Sequence, residues 1–341
     1  MRNKILLAYA FLSLTLGACS HLTYQFKGYE KYTLGDKEFK ENTRILQITD
    51  AHWGIGSQLD LEELYIRELV EQTQPDIIVL GGDLFMHANK EVVIRFFEMM
   101  DSFDIPFAYT YGNHDLLGNY HSDYIDMKVK QCFNSLLVNY LDDGLTGRSN
   151  YYVNLVDKST NEIKWQIMVM DSNSYNGGSY DILHKDQVSW YRSIVAETTA
   201  LNGGVPVPQL FFYHIPGLFF QSAIDAFNAT TEGKNIDCNA EENLTGNGVG
   251  CARENVYHGY EDDGIFDAMK ELKSTKGVFV GHDHINNFHL EYEGIGLYYN
   301  LKCGQNIYFD ERLMGGQVIE LASAGTFTVT RHFLGYEGLG K

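Results

Sequence analysis

Strand-like apolar runs that alternate with helix-period stripes predict an α/β fold, and three observations carry that prediction. Residues 44–49, 77–80 and 105–110 are short apolar runs separated by two amphipathic stripes. That β-α-β-α-β order is the mark of a parallel sheet with right-handed crossovers. Residue types that ligate metals stand at the ends of such runs, where an α/β sheet gathers distant residues into one site. Further apolar runs continue to residue 332, so the sheet content extends over most of the chain.

The elements follow in order. Residues 44–49 form a buried strand, and Asp60 with Glu63 gives a capping-box start to a helix. Leu61, Leu64, Tyr65 and Leu69 recur at helical spacing in that segment. Residues 77–80 are continuously apolar, as in a strand covered on both faces. Val92, Val93, Phe96, Phe97 and Met100 make the stripe of a second helix, and 105–110 is the next strand. Residues 151–156 and 163–170 flank a polar turn at 157–161, a hairpin pattern. A helix over about 186–200 and a buried strand over 210–214 come next. Residues 228–260 lack periodicity; a loop of that length between two ligand strands is expected to overhang the site. Ile265, Phe266, Met269 and Leu272 mark a last long helix, which the acidic run 261–263 caps, and 278–280 is a strand. Residues 288–292, 296–299, 317–321 and 326–332 predict a closing run of antiparallel strands.

The 341 residues are 44% hydrophobic and 21% charged, an ordinary globular mix with enough apolar residues for a large core. The net charge of −19 repels phosphate backbones and argues against a nucleic-acid-polymer partner. It leaves a small phosphorylated substrate open, because bound divalent cations reverse the local field.

Five clusters carry the chemistry: Asp50-Ala51-His52, Gly82-Asp83, Gly112-Asn113-His114-Asp115, His214, and Gly281-His282-Asp283-His284. Singly they are weak signals. A Gly-Gly-Asp is common at turns, and a lone strand-end His is more often a hydrogen-bonded structural residue. Together they supply carboxylate, amide oxygen and imidazole, the donor set that suits Mn, Fe or Zn. Converged, they would hold two ions about 3.5–4 Å apart. No CxxC pair exists, which argues against a cysteine-based zinc site.

In this order and spacing the clusters resemble the DxH, GD, GNH(D/E), H, GHxH pattern of calcineurin-like metallophosphoesterases over about residues 44–300. The chain is most similar to the branch near the purple acid phosphatases, on strings such as Phe212-Tyr213-His214-Ile215-Pro216. The resemblance implies a sandwich of two mixed β-sheets flanked by helices in α/β/β/α layers. It implies that Asp50, His52 and His284 bind one metal, that Asn113, His214 and His282 bind the other, and that Asp83 bridges them. It also implies that His114 acts beside the metals, as transition-state stabiliser or acid, with Asp115 orienting it. The implied reaction is attack of metal-bound hydroxide on phosphorus, phosphomonoesters first and phosphodiesters of nucleotides or lipid head groups second. One departure is plain: purple acid phosphatases carry a metal-bound Tyr where this chain has Met86, so no Tyr-to-iron colour is expected. A non-catalytic surface module with the same fold is the rival reading; the intact ligand set and His114 stand against it. A purely structural metal site is disfavoured by a shared Asp and the absence of Cys ligands.

Other polar residues keep two readings. Asp171 is either a support to a metal ligand or part of a structural turn. Trp53, Tyr120, His121, Asn173, Glu254 and His258 are either pocket-lining or ordinary structural and loop residues.

The first residues read as an export leader. Arg2 and Lys4 precede the apolar run 5–16, which is too short to span a bilayer as a helix. Leu16-Gly17-Ala18-Cys19 resembles the lipobox of bacterial lipoproteins, implying cleavage after residue 18 and a lipid on Cys19. The expected layout is a leader over 1–18, a membrane-anchored tether over 19–40, a metallophosphoesterase domain over 41–335 and a tail over 336–341, facing the periplasm or cell surface. Four cysteines then remain: Cys132 in a helix, Cys238, Cys251, and Cys303 after a strand. A Cys238–Cys251 bridge would close a short loop and add about 3 kcal/mol.

Overall fold

In the computed structural model, residues 37–54, 56–116, 122–136, 144–230 and 249–334 are described. Strand β1 (Lys37–Glu38) leads into β2 (Thr43–Ile48), β3 (Trp53–Gly54) and helix α1 (Leu59–Thr73). Strands β4 (Ile77–Leu80) and β5 (Phe85–Met86), helix α2 (Lys90–Ser102), β6 (Phe107–Tyr109) and α3 (Ser122–Gln131) complete the first half. The second half begins with the hairpin β7 (Tyr151–Asp157) and β8 (Glu162–Val169), the ribbon β9 (Tyr175–Asn176) and β10 (Ser179–Tyr180), and α4 (Lys185–Leu201). It continues through β11 (Gln209–Phe212), α5 (Leu218–Thr230), α6 (Ile265–Leu272) and β12 (Thr275–Val280). Strands β13 (His289–Tyr292), β14 (Ile295–Tyr299), β15 (Gly315–Leu321) and β16 (Phe327–Phe333) close the fold.

Two mixed sheets result. The five-stranded sheet runs β16-β15-β2-β4-β6, with β2, β4 and β6 parallel. The seven-stranded sheet runs β1-β7-β8-β11-β12-β14-β13, with β8, β11, β12 and β14 parallel. The period of two along a strand explains the layers. On β11, Leu210 and Phe212 face a core shared with Ile45, Ile78 and the helical residues Leu69 and Phe96. Phe211, between them, belongs to a second core with Tyr191, Phe220 and Met269 from α4, α5 and α6. The order is thus helices, sheet, sheet, helices, the expected α/β/β/α sandwich.

The expected strands and the 157–161 turn fall where the patterning placed them, within a few residues. Several local expectations are corrected. Asp60 and Glu63 form no capping box: α1 starts at Leu59, behind a Gln58 with no side-chain cap. Both acids instead take the guanidinium of Arg95 on α2, at 2.6 and 2.9 Å. The segment after His214 holds the unexpected helix α5, which buries Phe219, Phe220, Ala223 and Ile224. Helix α6 is only 8 residues long. The last four strands are not one antiparallel run. β13–β14 and β15–β16 are hairpins in different sheets, and β14 lies parallel to β12. Cys132 follows α3 rather than lying in it and is half-buried, while Cys251 and Cys303 are buried. The leader, Cys19, Tyr120, His121, Cys238 and the tail lie outside the described residues, as do residues 231–248 of the long loop. Among the described residues no helix is long and apolar enough to cross a membrane.

Candidate metal centre

The carboxyl ends of the parallel strands of both sheets deliver the candidate ligands. Asp50 and His52 follow β2, Asp83 follows β4 and Asn113 follows β6. From the other sheet, His214 follows β11, and His282 and His284 follow β12. Strand β11 ends at Phe212, so His214 stands two residues past the strand rather than closing it. Asp50, His52, Asp83 and His282 all hold left-handed backbone, with φ of 56°, 51°, 50° and 80°. Such conformations cost an L-residue energy and persist where the surroundings impose them. Here each turns a side chain off the end of its strand. The motif glycines answer a second need. A Cβ at Gly112 would collide with Asp83, and one at Gly281 with Thr49 and Asp50.

The seven side chains are buried and converge. His214 Nε2 lies 3.1 Å from Asp83 Oδ2 and 3.9 Å from Asp50 Oδ1. His284 Nε2 is 3.6 Å from Asp50 Oδ1, and His52 Nε2 is 3.5 Å from Asp83 Oδ2. Asp50, His52 and His284 form one group whose donor atoms lie within 4.8 Å of one another, and Asp83, His214 and His282 form another. Asp50 Oδ1, His52 Nε2, Asp83 Oδ2, Asn113 Oδ1, His214 Nε2 and His282 Nδ1 are buried without a hydrogen-bond partner. A buried polar atom left unpartnered costs about 1–3 kcal/mol. Five of the six belong to the two converging groups, a cost that bound cations would relieve. The donors are oxygen and imidazole nitrogen, a set that first-row divalent metals accept.

The opposite edges of these side chains are held from behind. Asp50 Oδ2 accepts from Thr49 Oγ1 at 2.8 Å and from His282 N at 3.1 Å. Asp83 Oδ1 accepts from His114 N at 2.7 Å. His214 Nδ1 is 2.8 Å from Gly81 O, and His284 Nδ1 is 2.9 Å from Tyr308 O. A ring nitrogen that donates to a carbonyl leaves the other as a lone-pair donor, which fixes the tautomer a metal needs. Lys302 Nζ is buried 2.7 Å from Asp50 O and 2.9 Å from His52 Nδ1, and Glu62 lies behind it.

Electrostatics follow from this crowding. Burial opposes charge on Asp83, but His214 and His52 outweigh it and hold the carboxyl well below the ordinary range. Burial likewise pulls His214 down, yet Asp83 and Asp50 raise it to about 10. His282 falls to about 3 through burial and the neighbouring His214. A bound cation would displace the proton that His214 holds against the two carboxylates. Burial, with the Asp83 charge beside it, lifts Asp115 to about 7.

His114 stands 4.0 Å from Asp83 Oδ2 through Nε2, with its Nδ1 buried and unpartnered. Asp115 accepts from Phe85 N and Gly112 N, each at 2.9 Å, and so ties the β4 and β6 ends together. The ring of His114 is not its hydrogen-bond partner. His114 opens onto a cleft of about 400 Å³ shared with Asp83, His282 and His284, and Met86 lies on its wall. Asp171 resolves to a turn: its carboxylate accepts from Arg148 N at 2.7 Å and Asn173 N at 2.8 Å. Trp53 is core, its ring 5.0 Å from that of Phe96, and Asn173 donates to Ile182 O at 2.8 Å. Glu254 does line the cleft. His258 is half-buried against Gly259 O. Sequence reasoning missed Thr49, Lys302, Tyr180, Tyr257 and Tyr308. None lies in a recognisable motif, and only Thr49 adjoins one.

An α/β/β/α sandwich with paired Asp/His groups at its strand ends defines a dinuclear-metal-binding protein, consistent with phosphohydrolase chemistry. Residues 43–286 match the family described as Calcineurin-like phosphoesterase, and the chain belongs to it. It is 24% identical over 346 residues to "Probable inactive purple acid phosphatase 14" of Arabidopsis thaliana, covering 89% of this chain and 79% of that protein. It is 20% identical to "Phosphatase DCR2" of Saccharomyces cerevisiae, over 79% of this chain and 49% of that one. Among solved structures, a dimetal phosphatase from Danio rerio superposes with a TM-score of 0.52 at 10% identity, over 87% of this chain and 98% of that one. That likeness concerns the fold alone.

Proposed function

We propose that the protein hydrolyses phosphoesters, monoesters in preference to diesters, with two metal ions of the Mn, Fe or Zn class. The observation that carries this reading is the convergence, beside His114, of five residues with buried donor atoms that lack a hydrogen-bond partner: Asp50, His52, Asp83, His214 and His282. Asp50, His52 and His284 would hold one ion, and Asn113, His214 and His282 the other, with Asp83 between them. Ions held there supply Lewis acidity for the phosphoryl oxygens and lower the pKa of bound water toward neutrality. His114 would hold or deliver a proton at the leaving oxygen, the role open to an imidazole that lines the cleft. Asp115 positions this segment through the backbone of Gly112 and Phe85.

The name of the Arabidopsis relative includes the word inactive, which concerns that protein; this sequence carries every residue type of the ligand pattern. A binding-only module needs no such set of orphaned donors. The test is Asp83→Asn. With Mn- or Zn-loaded protein, hydrolysis of p-nitrophenyl phosphate is expected to fall to background, and elemental analysis to show about one ion lost. Turnover that survives the change would sink the assigned bridge. A panel of monoesters and diesters run with each metal decides the ester class.

The export reading rests on Arg2, Lys4, the apolar run and the Leu16–Cys19 string. Mass spectrometry of the amino terminus tests it: an acylated Cys19 is expected, and an intact Met1 or an unmodified Cys19 would refute the anchor.

A further inference from the structure

The cleft wall beyond the metal donors has an unusual chemistry for a site that takes phosphate. It consists of Tyr180, Glu254, Tyr257, Asp283, Ile307 and Tyr308, with Met86 beside Asp83. Among the described residues that line it there is no Lys or Arg. Arg253, the neighbour of Glu254 in sequence, is ion-paired with Asp310. A substrate with a second phosphate or carboxylate would meet no basic side chain on this wall.

Asp283 is the more buried acid and supports the wall from behind. It is 2% exposed, it lines the cleft, and its Oδ1 has no hydrogen-bond partner. Its Oδ2 accepts from Tyr299 Oη and from Tyr257 N, the latter at 3.2 Å, so it also fixes the chain that carries the Tyr257 ring. Glu254 is held by Ile285 N at 2.9 Å and Tyr308 Oη at 2.8 Å. Two of the rings are fixed as well. Tyr308 stacks on His284 with centroids 4.2 Å apart, and Tyr180 meets His282 edge-on at 4.3 Å. Tyr257 and Tyr308 nevertheless remain 46% exposed, so ring surface is left for a ligand. Preset aromatic faces beside carboxylates are the recognition chemistry of organic ammonium groups.

We propose that the cleft takes a phosphoester whose other half carries an organic ammonium group, held by Glu254 and the exposed rings of Tyr257 and Tyr308. The inference rests on the phosphoesterase reading. The ammonium binds without bond changes; the ester is cut at phosphorus with water as co-reactant, yielding the amino alcohol and phosphate.

The test compares choline phosphate with 3,3-dimethylbutyl phosphate, its uncharged isostere, on metal-loaded protein. Choline phosphate is expected to show a kcat/KM about tenfold higher or more. Glu254→Gln and Tyr257→Leu should each move that ratio toward one. Independently, tetramethylammonium should bind EDTA-treated protein, read by calorimetry, because it needs no metal. Hydrolysis of both esters at equal kcat/KM, with no tetramethylammonium binding, overturns the ammonium subsite and leaves the phosphoesterase reading standing. Tetramethylammonium binding without hydrolysis of either ester supports the subsite and sinks the phosphoesterase reading. A preference for the uncharged ester overturns the proposal outright.

Discussion

The floor of the cleft and its rim differ in how they are held. On the floor, all seven candidate ligands are buried and four hold left-handed backbone. On the rim, Tyr257 and Tyr308 stand nearly half exposed, fixed by side-chain contacts and by loops rather than strand ends. Rigid elements position chemistry, and loops position selectivity. The floor has the residue types and burial that two cations would require. The rim is free to vary with whatever else the substrate carries.

That contrast can be broken at several points. Beyond Asp83→Asn, the largest effect is expected from His114→Ala. Turnover should drop about 10²–10⁴-fold with metal content unchanged. A His114 variant that loses its metals would move this residue from cleft chemistry to the ligand floor. Next, Thr49→Val removes the hydroxyl 2.8 Å from Asp50 Oδ2. Metal affinity should weaken about 10–100-fold in a competitive chelator titration. No change would mean that the His282 N–H and the left-handed backbone suffice to aim Asp50.

The smallest effect concerns charge stored behind the floor. Burial raises Glu62 from 4.5 to about 7, partly offset by Gln305 N and Lys302. The folded state therefore prefers the protonated acid. Its contribution to stability is complete below about pH 4.5 and is lost as pH rises through about 7. Glu62→Gln does not titrate, so its Tm should gain on the wild type across that window and then level off, by about 2–4 °C. A difference that is flat with pH would show that Glu62 carries no such shift.

The floor was legible in the sequence because its residue types are dictated by ligand chemistry and its glycines by steric contact. Gly112 and Gly281 leave no room for a Cβ, and Asp50, His52, Asp83 and His282 sit in left-handed backbone just past strand ends. The strands were legible through their apolar runs, such as 77–80. The rim was not, since Tyr180, Glu254 and Tyr308 are far apart in sequence and share no period. Helix α5 was overlooked although Phe219, Phe220, Ala223 and Ile224 carry a helical stripe, because it follows directly on a motif residue and runs toward an aperiodic loop. Glu63 misled as a capping residue because only the packing of α1 on α2 supplies Arg95 as its better partner. Asp115 shows the same limit: its neighbours Gly112 and Phe85 come together only through the β4–β6 pairing.

Neither sheet owns a complete ligand set. Asp50, His52, Asp83 and Asn113 come from the five-stranded sheet, whereas His214, His282 and His284 come from the seven-stranded one. An ion bound there would act as a rivet through both layers, joining residues more than two hundred positions apart. Its binding energy would then be folding energy, increasing with free metal concentration. Starving the protein of metal would loosen the seam between the two halves before it touched the interior of either.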